Sequence, residues 1–192
     1  MLRKIFSAAV LAATIFLAGT VSAATSVEVR QAAVILEPPV ESFNQPEKVR
    51  AAVQQTVDKI FKNAVSLSVQ SIDETAGAVQ IYREENNFEG AETFLKRPDL
   101  EKICKDLGSD FLIYLRTSSS EVKSSDPISS KVNVVLDFRV WASAEQKFTY
   151  SKRVTMTGTG YGYGAEFDAL VEGLKKCLQE VDKDAAKVRA AM

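Results

Sequence analysis

An α+β fold is predicted for this chain: a mixed sheet of about five strands, ending in a three-strand meander, with amphipathic helices packed on it. Three features of the sequence predict it. Apolar and polar residues alternate through Val132–Trp141 and again through Phe148–Thr157, as in strands with one buried face. The run Phe111-Leu-Ile-Tyr-Leu115 is apolar at every position, as in a strand covered on both faces. Apolar residues recur at helical spacing in Pro46–Ala64 and Glu166–Ala190, giving each segment a stripe that can lie on a sheet.

The first stretch reads as an export signal. Arg3 and Lys4 precede an apolar run, Ile5–Ala18, and small residues stand at Val21-Ser22-Ala23, so cleavage before Ala24 is expected. The apolar run is shorter than the ~20 residues that span a bilayer. No transmembrane helix is therefore expected after removal of the signal, and the expected location is periplasmic or secreted. Thr20, not cysteine, follows Leu17-Ala-Gly, so the lipoprotein attachment pattern is absent. Taking 23 residues from 192 leaves 169, the size of one domain spanning 24–192. With 24 Lys and Arg against 25 Asp and Glu, no global field draws the chain to nucleic acid.

The elements follow in order. Val27–Leu36 reads as a strand stopped by Glu37-Pro38-Pro39, since proline cannot donate to a ladder. Pro46 and Glu47 open a helix with Val49, Val53, Val57, Ile60 and Phe61 on one side. Val65–Val69 alternates as a second strand. Ser71 and Glu74 form a capping-box pattern, so Ile72–Glu85 reads as a helix, although Gly77 and Val79–Tyr82 leave a strand open. Asn86-Asn87 and Gly90 mark a loop, Pro98–Leu107 a short helix, and Gly108 its stop. Asp110–Thr117 is the first meander strand, and the serine-rich Thr117–Lys131 reads as a surface connection.

In the hairpin that follows, Val132, Val134, Leu136, Phe138 and Val140 share a face, as do Phe148, Tyr150, Val154 and Met156. If Val140 opposes Phe148, Phe138 stacks on Tyr150 and Val134 on Val154. Lys152 breaks the pattern, with a stem that can lie on apolar surface while its amine reaches water.

No chemical centre stands out. The absence of histidine removes the usual Ser-His-Asp and Cys-His systems and the commonest zinc ligand. Acidic pairs such as Glu84-Glu85 and Asp99/Glu101 are ordinary on charged helix faces. No catalytic, metal or cofactor-binding residue is assigned, and a non-enzymatic role is expected. Cys104 and Cys177 each fall on the apolar stripe of a predicted helix; they read as two buried thiols or as a disulfide packing those helices together, which export permits. Gly158-Thr-Gly-Tyr-Gly-Tyr-Gly164 lies between a strand and a helix, the context of a phosphate-cradling turn, and a small nucleotide-binding protein or hydrolase is the alternative it supports. Its spacing is not the dinucleotide form, and no Lys-Ser/Thr follows. The plainer readings are a flexible turn and a loop that presents Tyr161 and Tyr163 to a protein partner.

Over roughly residues 32–185 the chain resembles bacterial envelope domains related to the N-terminal domain of TolB and to the periplasmic part of the curli secretion family. The matching features are the early Ala-Val-Ile-Leu strand with its prolines and amphipathic helix, Leu107-Gly-Ser-Asp-Phe-Leu-Ile113 opening a strand, and Leu136-Asp-Phe-Arg-Val-Trp141 opening a hairpin. The turn Ala142–Lys147 lacks the Asp…Thr-Gly pattern of that family. The resemblance implies an adaptor or assembly module without an active site, whose partner is another envelope protein. A secreted protein with some other partner is the third reading, and the oligomeric state is left open.

Overall fold

The structure, a computed structural model, describes residues 28–88, 94–123, 126 and 128–192. The expected signal segment, Val27 and Gly90 lie outside the described residues. The chain runs β1 (Arg30–Glu37), a short 3-10 turn (Val40–Ser42), α1 (Pro46–Phe61), β2 (Leu67–Gln70), α2 (Ile72–Glu85) and α3 (Arg97–Asp106). It continues through β3 (Phe111–Val122), β4 (Ser129–Ala142), β5 (Lys147–Tyr161), α4 (Ala165–Asp182) and α5 (Ala185–Ala190). The five strands form one mixed sheet in the order β2-β1-β3-β4-β5, an α+β fold. β1 is parallel to both β2 and β3, and β3, β4 and β5 form the antiparallel meander.

Helix positions follow from local chemistry. Pro46 and Glu47 occupy the first turn of α1. Ser71 accepts from the Glu74 backbone N–H, and the Glu74 carboxylate accepts from the Ser71 N–H at 2.6 Å. That reciprocal cap decides the open question at Ile72–Glu85 in favour of a helix. Gly108, at φ 60°, ends the segment begun by α3.

Helices cover the sheet unequally. α1, α4 and α5 pack on one face, against Ala32, Val34 and Leu36 of β1, Ile113 and Leu115 of β3, and Val132, Val134, Leu136, Phe138 and Val140 of β4. α2 and α3 pack on the other, against Ala33, Ile35, Leu112, Tyr114 and Trp141. β1 and the first half of β3 are therefore buried on both sides, as the unbroken apolar run at Phe111–Leu115 predicts.

The hairpin register differs from the expected one. Val140 opposes Tyr150, Phe138 opposes Lys152, Leu136 opposes Val154, and a bulge between Val140 and Trp141 places Trp141 opposite Phe148. The bulge turns Phe148 to the α3 side, where its ring meets Trp141 edge-on at 5.3 Å between centroids. Phe148 is thus not part of the inward row with Tyr150, Val154 and Met156. Phe138 and Tyr150 still touch, diagonally, at 6.1 Å. Lys152 does not send its amine to water as expected: Nζ donates to the Glu180 carbonyl at 2.6 Å and to Asp184 at 2.7 Å.

Three boundaries also differ. β3 runs to Val122 and β4 starts at Ser129, so much of the expected Thr117–Lys131 connection is ladder; the serines pair across strands, Ser118 with Val135 and Ser120 with Asn133. The single terminal helix is two, broken at Lys183-Asp184, where Asp184 accepts from Lys152 and from Tyr150 Oη at 3.2 Å. Gly158 and Gly160 are not in a turn but inside β5. A Cβ on Gly158 would fall 1.8 Å from the Ala169 carbonyl oxygen, and one on Gly160 would fall 1.9 Å from that of Ala165. Helix α4 thus rests on strand backbone through Ala165, Ala169 and Gly173, one small residue per turn.

Candidate partner-binding face

Register and burial single out one surface. On the α2/α3 side, the helices end over β1, the start of β3 and the Trp141 end of the hairpin. Beyond them the cross-strand rows are Tyr114–Arg139–Ser151, Arg116–Asp137–Arg153, Ser118–Val135–Thr155, Ser120–Asn133–Thr157 and Val122–Lys131–Thr159, closing with Ser129–Tyr161. Ser118, Ser120, Lys131, Ser151, Arg153, Thr155, Thr157 and Tyr161 on this side are exposed. Among the described residues no helix packs on it; Phe94 approaches one end, its ring 4.4 Å from the Arg116 guanidinium carbon.

The face is basic although the chain is not. It carries Arg116, Lys131, Arg139 and Arg153 against the carboxylate of Asp137, with the buried carboxylate of Glu37 opposite Arg116 on β1, while the whole chain has a net charge of −1. Asp137 lies between three guanidinium groups, 3.7 Å from Arg116, 3.8 Å from Arg153 and 3.9 Å from Arg139. None of these is a hydrogen bond by distance; the carboxylate acts as a shared counter-ion. Glu37, opposite Arg116 on β1, is the other acid nearby, but it is bonded by Arg83 and Tyr114; Asp137 is left as the carboxylate the three guanidinium groups share, and Arg139 Nε is buried without an acceptor among the described residues. Arg153, its side chain 66% exposed against 38% for Arg116 and 32% for Arg139, is the most accessible of the three.

β5 is an edge of the sheet, and α4 blocks half of it. The Thr159 N–H donates to the Glu172 carboxylate, and Lys176 Nζ donates to the Thr157 carbonyl at 3.1 Å. The bond from Thr159 is the main cause that holds the Glu172 carboxyl below the usual range. Backbone groups on alternate residues of a strand point the same way. Those of Ser151, Arg153 and Thr155 consequently point outward too, and among the described residues nothing bonds to them.

The residues singled out by sequence are placed as follows. Tyr161 and Tyr163 are exposed at the far end of this face, 68% and 107%, with Ile128 exposed at 67% beside them; the Gly162 N–H donates to the Ile128 carbonyl at 2.9 Å. Gly158 and Gly160 face helix backbone and leave no room for a phosphate, and the first turn of α4 carries Glu166 and Asp168. Asp168 accepts from Lys48 at 2.9 Å and from Gln45 at 3.1 Å, contacts that hold its carboxyl below the usual range. The start of that helix therefore already holds an anion of its own. Cys104 and Cys177 are free and buried, one in each face's core, with the sheet between them.

Two further features were not read from the sequence. A cleft of about 520 Å³ opens between α2 and the Pro39–Glu41 turn, lined by Ile35, Leu36, Val40, Ile72, Val79 and Phe88, with Arg83 at its rim. Beside it Glu37 is buried; it accepts from Arg83 at 2.9 Å, from the Leu95 N–H at 3.0 Å and from the Tyr114 hydroxyl. Burial pushes its carboxyl pKa up, against those bonds and the charges of Arg83 and Arg116. Every donor around Glu37 is committed, so it clamps β1, β3 and α2 together and does not present a free acid. Its only trace in the sequence is an acidic residue ending an apolar run. No group of three or more His, Cys, Asp or Glu that could hold a metal is found among the described residues, nor a helix long and apolar enough to cross a membrane.

No family model matches the chain, and no curated protein does. Solved structures do align with it. The lipoprotein GNA1162 from Neisseria meningitidis is 15% identical over 85% of this chain and 99% of that one, with a TM-score of 0.43. The protein CT253 from Chlamydia trachomatis is 10% identical over 85% and 96%, at 0.42. The LpoB C-terminal domain from Escherichia coli is 11% identical over 70% and 87%, at 0.33. GNA1162 and LpoB are bacterial lipoprotein or envelope domains, and neither is a TolB or curli-secretion domain. Likeness at this level assigns neither ligand nor activity.

Proposed function

We propose that this chain is an exported, non-enzymatic binding module of the bacterial cell envelope, one domain after loss of a signal peptide, working as an adaptor for another envelope protein. The partner binds the open face of β3, β4 and β5: Tyr161 and Tyr163 anchor one end, and the free stretch of the β5 edge accepts a strand at the other. The observation that carries this reading is the uncovered face itself, which joins a basic row, an unpaired edge and an exposed aromatic pair in one continuous surface. Exposed apolar side chains on an otherwise polar rim mark interaction sites.

A photo-crosslinking amino acid placed at Tyr161, and separately at exposed Lys62 beyond α1, tests the reading in envelope fractions. A discrete adduct from position 161, absent from position 62 and lost when Tyr163→Ala is added, is expected. Equal adducts from both positions would remove the assignment of this face. The nucleotide alternative is checked by thermal shift: a rise in melting temperature with nucleotide would favour it.

A further inference from the structure

We infer that the strand accepted at the β5 edge is an acidic peptide segment of the partner, with a carboxylate side chain opposite Arg153. This rests on the strand-addition reading above and adds the chemistry of the partner to it.

The edge fixes the position. Ser151, Arg153 and Thr155 offer outward backbone groups, and Thr157 and Thr159 are closed by Lys176 and Glu172, so an added strand centres on Arg153. A side chain directly opposite a residue on the neighbouring strand lies about 5 Å away between Cβ atoms on the same face. The residue opposite Arg153 therefore enters the basic face next to its most exposed guanidinium.

The charge balance fixes the sign. Asp137 has three guanidinium groups within 3.9 Å. If Arg153 turns to an incoming carboxylate, Asp137 keeps Arg116 and Arg139, so recognition leaves no buried carboxylate unpaired. An incoming cation would add a fourth positive charge to the cluster around Asp137, where three guanidinium groups already share one carboxylate. A neutral side chain would leave that surplus uncompensated.

The test uses labelled extended peptides of alternating threonine and valine with Glu, Gln or Lys at the centre, followed by fluorescence anisotropy in low salt. The full mature chain is compared with Arg153→Gln, Arg153→Glu and Thr155→Pro, each checked for folding by Trp141 fluorescence. Proline at 155 removes an outward N–H and spares the ladder to β4. The Glu peptide is expected to bind the unmodified chain best, about fivefold better than the Gln peptide, the upper range for one exposed ion pair. Arg153→Glu is expected to reverse the order so that the Lys peptide binds best, and Thr155→Pro to weaken all three. If the three peptides bind equally and only Thr155→Pro weakens them, the acidic reading is overturned while strand addition stands. If Thr155→Pro changes nothing, strand addition itself fails. If inorganic polyphosphate binds with the same dependence on Arg153 but none on Thr155, the face is a polyanion platform and the peptide reading is overturned.

Discussion

Adding one methyl group should have opposite effects at Gly158 or Gly160 and at Gly77. At Gly158 the new Cβ would lie 1.8 Å from the Ala169 carbonyl oxygen and 2.5 Å from the Gly173 nitrogen; at Gly160 it would lie 1.9 Å from the Ala165 carbonyl oxygen. All three obstacles are backbone atoms of α4, so no side chain can rotate away. Restoring an ordinary 3.4 Å contact from 1.8 Å requires α4 to lift by 1.6 Å at that point. A gap of 0.5–1 Å already forfeits roughly a quarter to a half of a dispersion contact, and α4 would lose contacts at Leu174, Cys177 and Leu178, all at most 1% exposed. The expected loss is at or above the upper end of overpacking costs, about 3 kcal/mol. For a domain of this size that is about 6–12 °C in melting temperature. Gly77 lies exposed in α2 with nothing within 4 Å of its would-be Cβ, so alanine there should stabilise by about 0.5–1 kcal/mol through helix propensity and a less flexible unfolded chain. Urea unfolding followed by Trp141, the only tryptophan and fully buried, measures all three variants. Wild-type midpoints for Gly158→Ala and Gly160→Ala would refute the close approach of α4 to β5.

Asp184 is held down to about 2, first by its hydrogen bond from Lys152 and then by that from Lys187. A depressed carboxyl contributes stability above its unfolded pKa of 3.8 and loses it as pH falls towards 2. Carbonyl-carbon NMR should find its midpoint in that low range, and Lys152→Met should move it upward; no movement would break the Lys152–Asp184 contact. Burial pushes Cys104 and Cys177 up to about 11, so neither should react with iodoacetamide in the native protein near pH 8. In denaturant without reductant both should be alkylated, and a mass showing no adducts would mean a disulfide. Phe138→Ala, at a fully buried position, should cost about 3–5 kcal/mol by urea unfolding, whereas Arg153→Gln on the open face should cost under about 1 kcal/mol.

Much of the architecture was legible because periodicity reports burial. The five-strand mixed sheet, the doubly covered Phe111–Leu115 and the even-numbered core row of β4 all follow from which side chains avoid water. The register of β5 against β4 was not legible, since the bulge at Val140/Trp141 changes strand pairing without changing composition. Phe148 looked like a core residue and is one, but of the other core. The glycines of β5 misled for a related reason. Glycine marks both turns and places where backbones meet, and only the small residues at 165, 169 and 173, four apart along α4, hint that Gly158 and Gly160 belong to the second class. The basic row was hidden because a near-neutral chain can still place four cations on one face, and the cross-strand register that gathers Arg116, Asp137 and Arg153 was not known beforehand.

Topology explains why the open face is where it is. Parallel strands must be joined by crossovers, and here α1 crosses one face and α2 with α3 cross the other, so β1 and the start of β3 are covered as a consequence of connectivity. β3, β4 and β5 are joined by hairpins that cross nothing, and α4 is the main cover of β4 and β5, on one face. The exposed side must then be polar enough to resist edge-to-edge pairing, for which charges on β5 are a common device. That duty would be met by either sign of charge at position 153. It does not call for three arginines gathered on Asp137 while Glu37, the other acid of the row, is bonded by Arg83 and Tyr114; an incoming anion offsets that local surplus. Solubility and recognition thus make different demands on Arg153: the first is indifferent to Arg153→Glu, and the second is inverted by it.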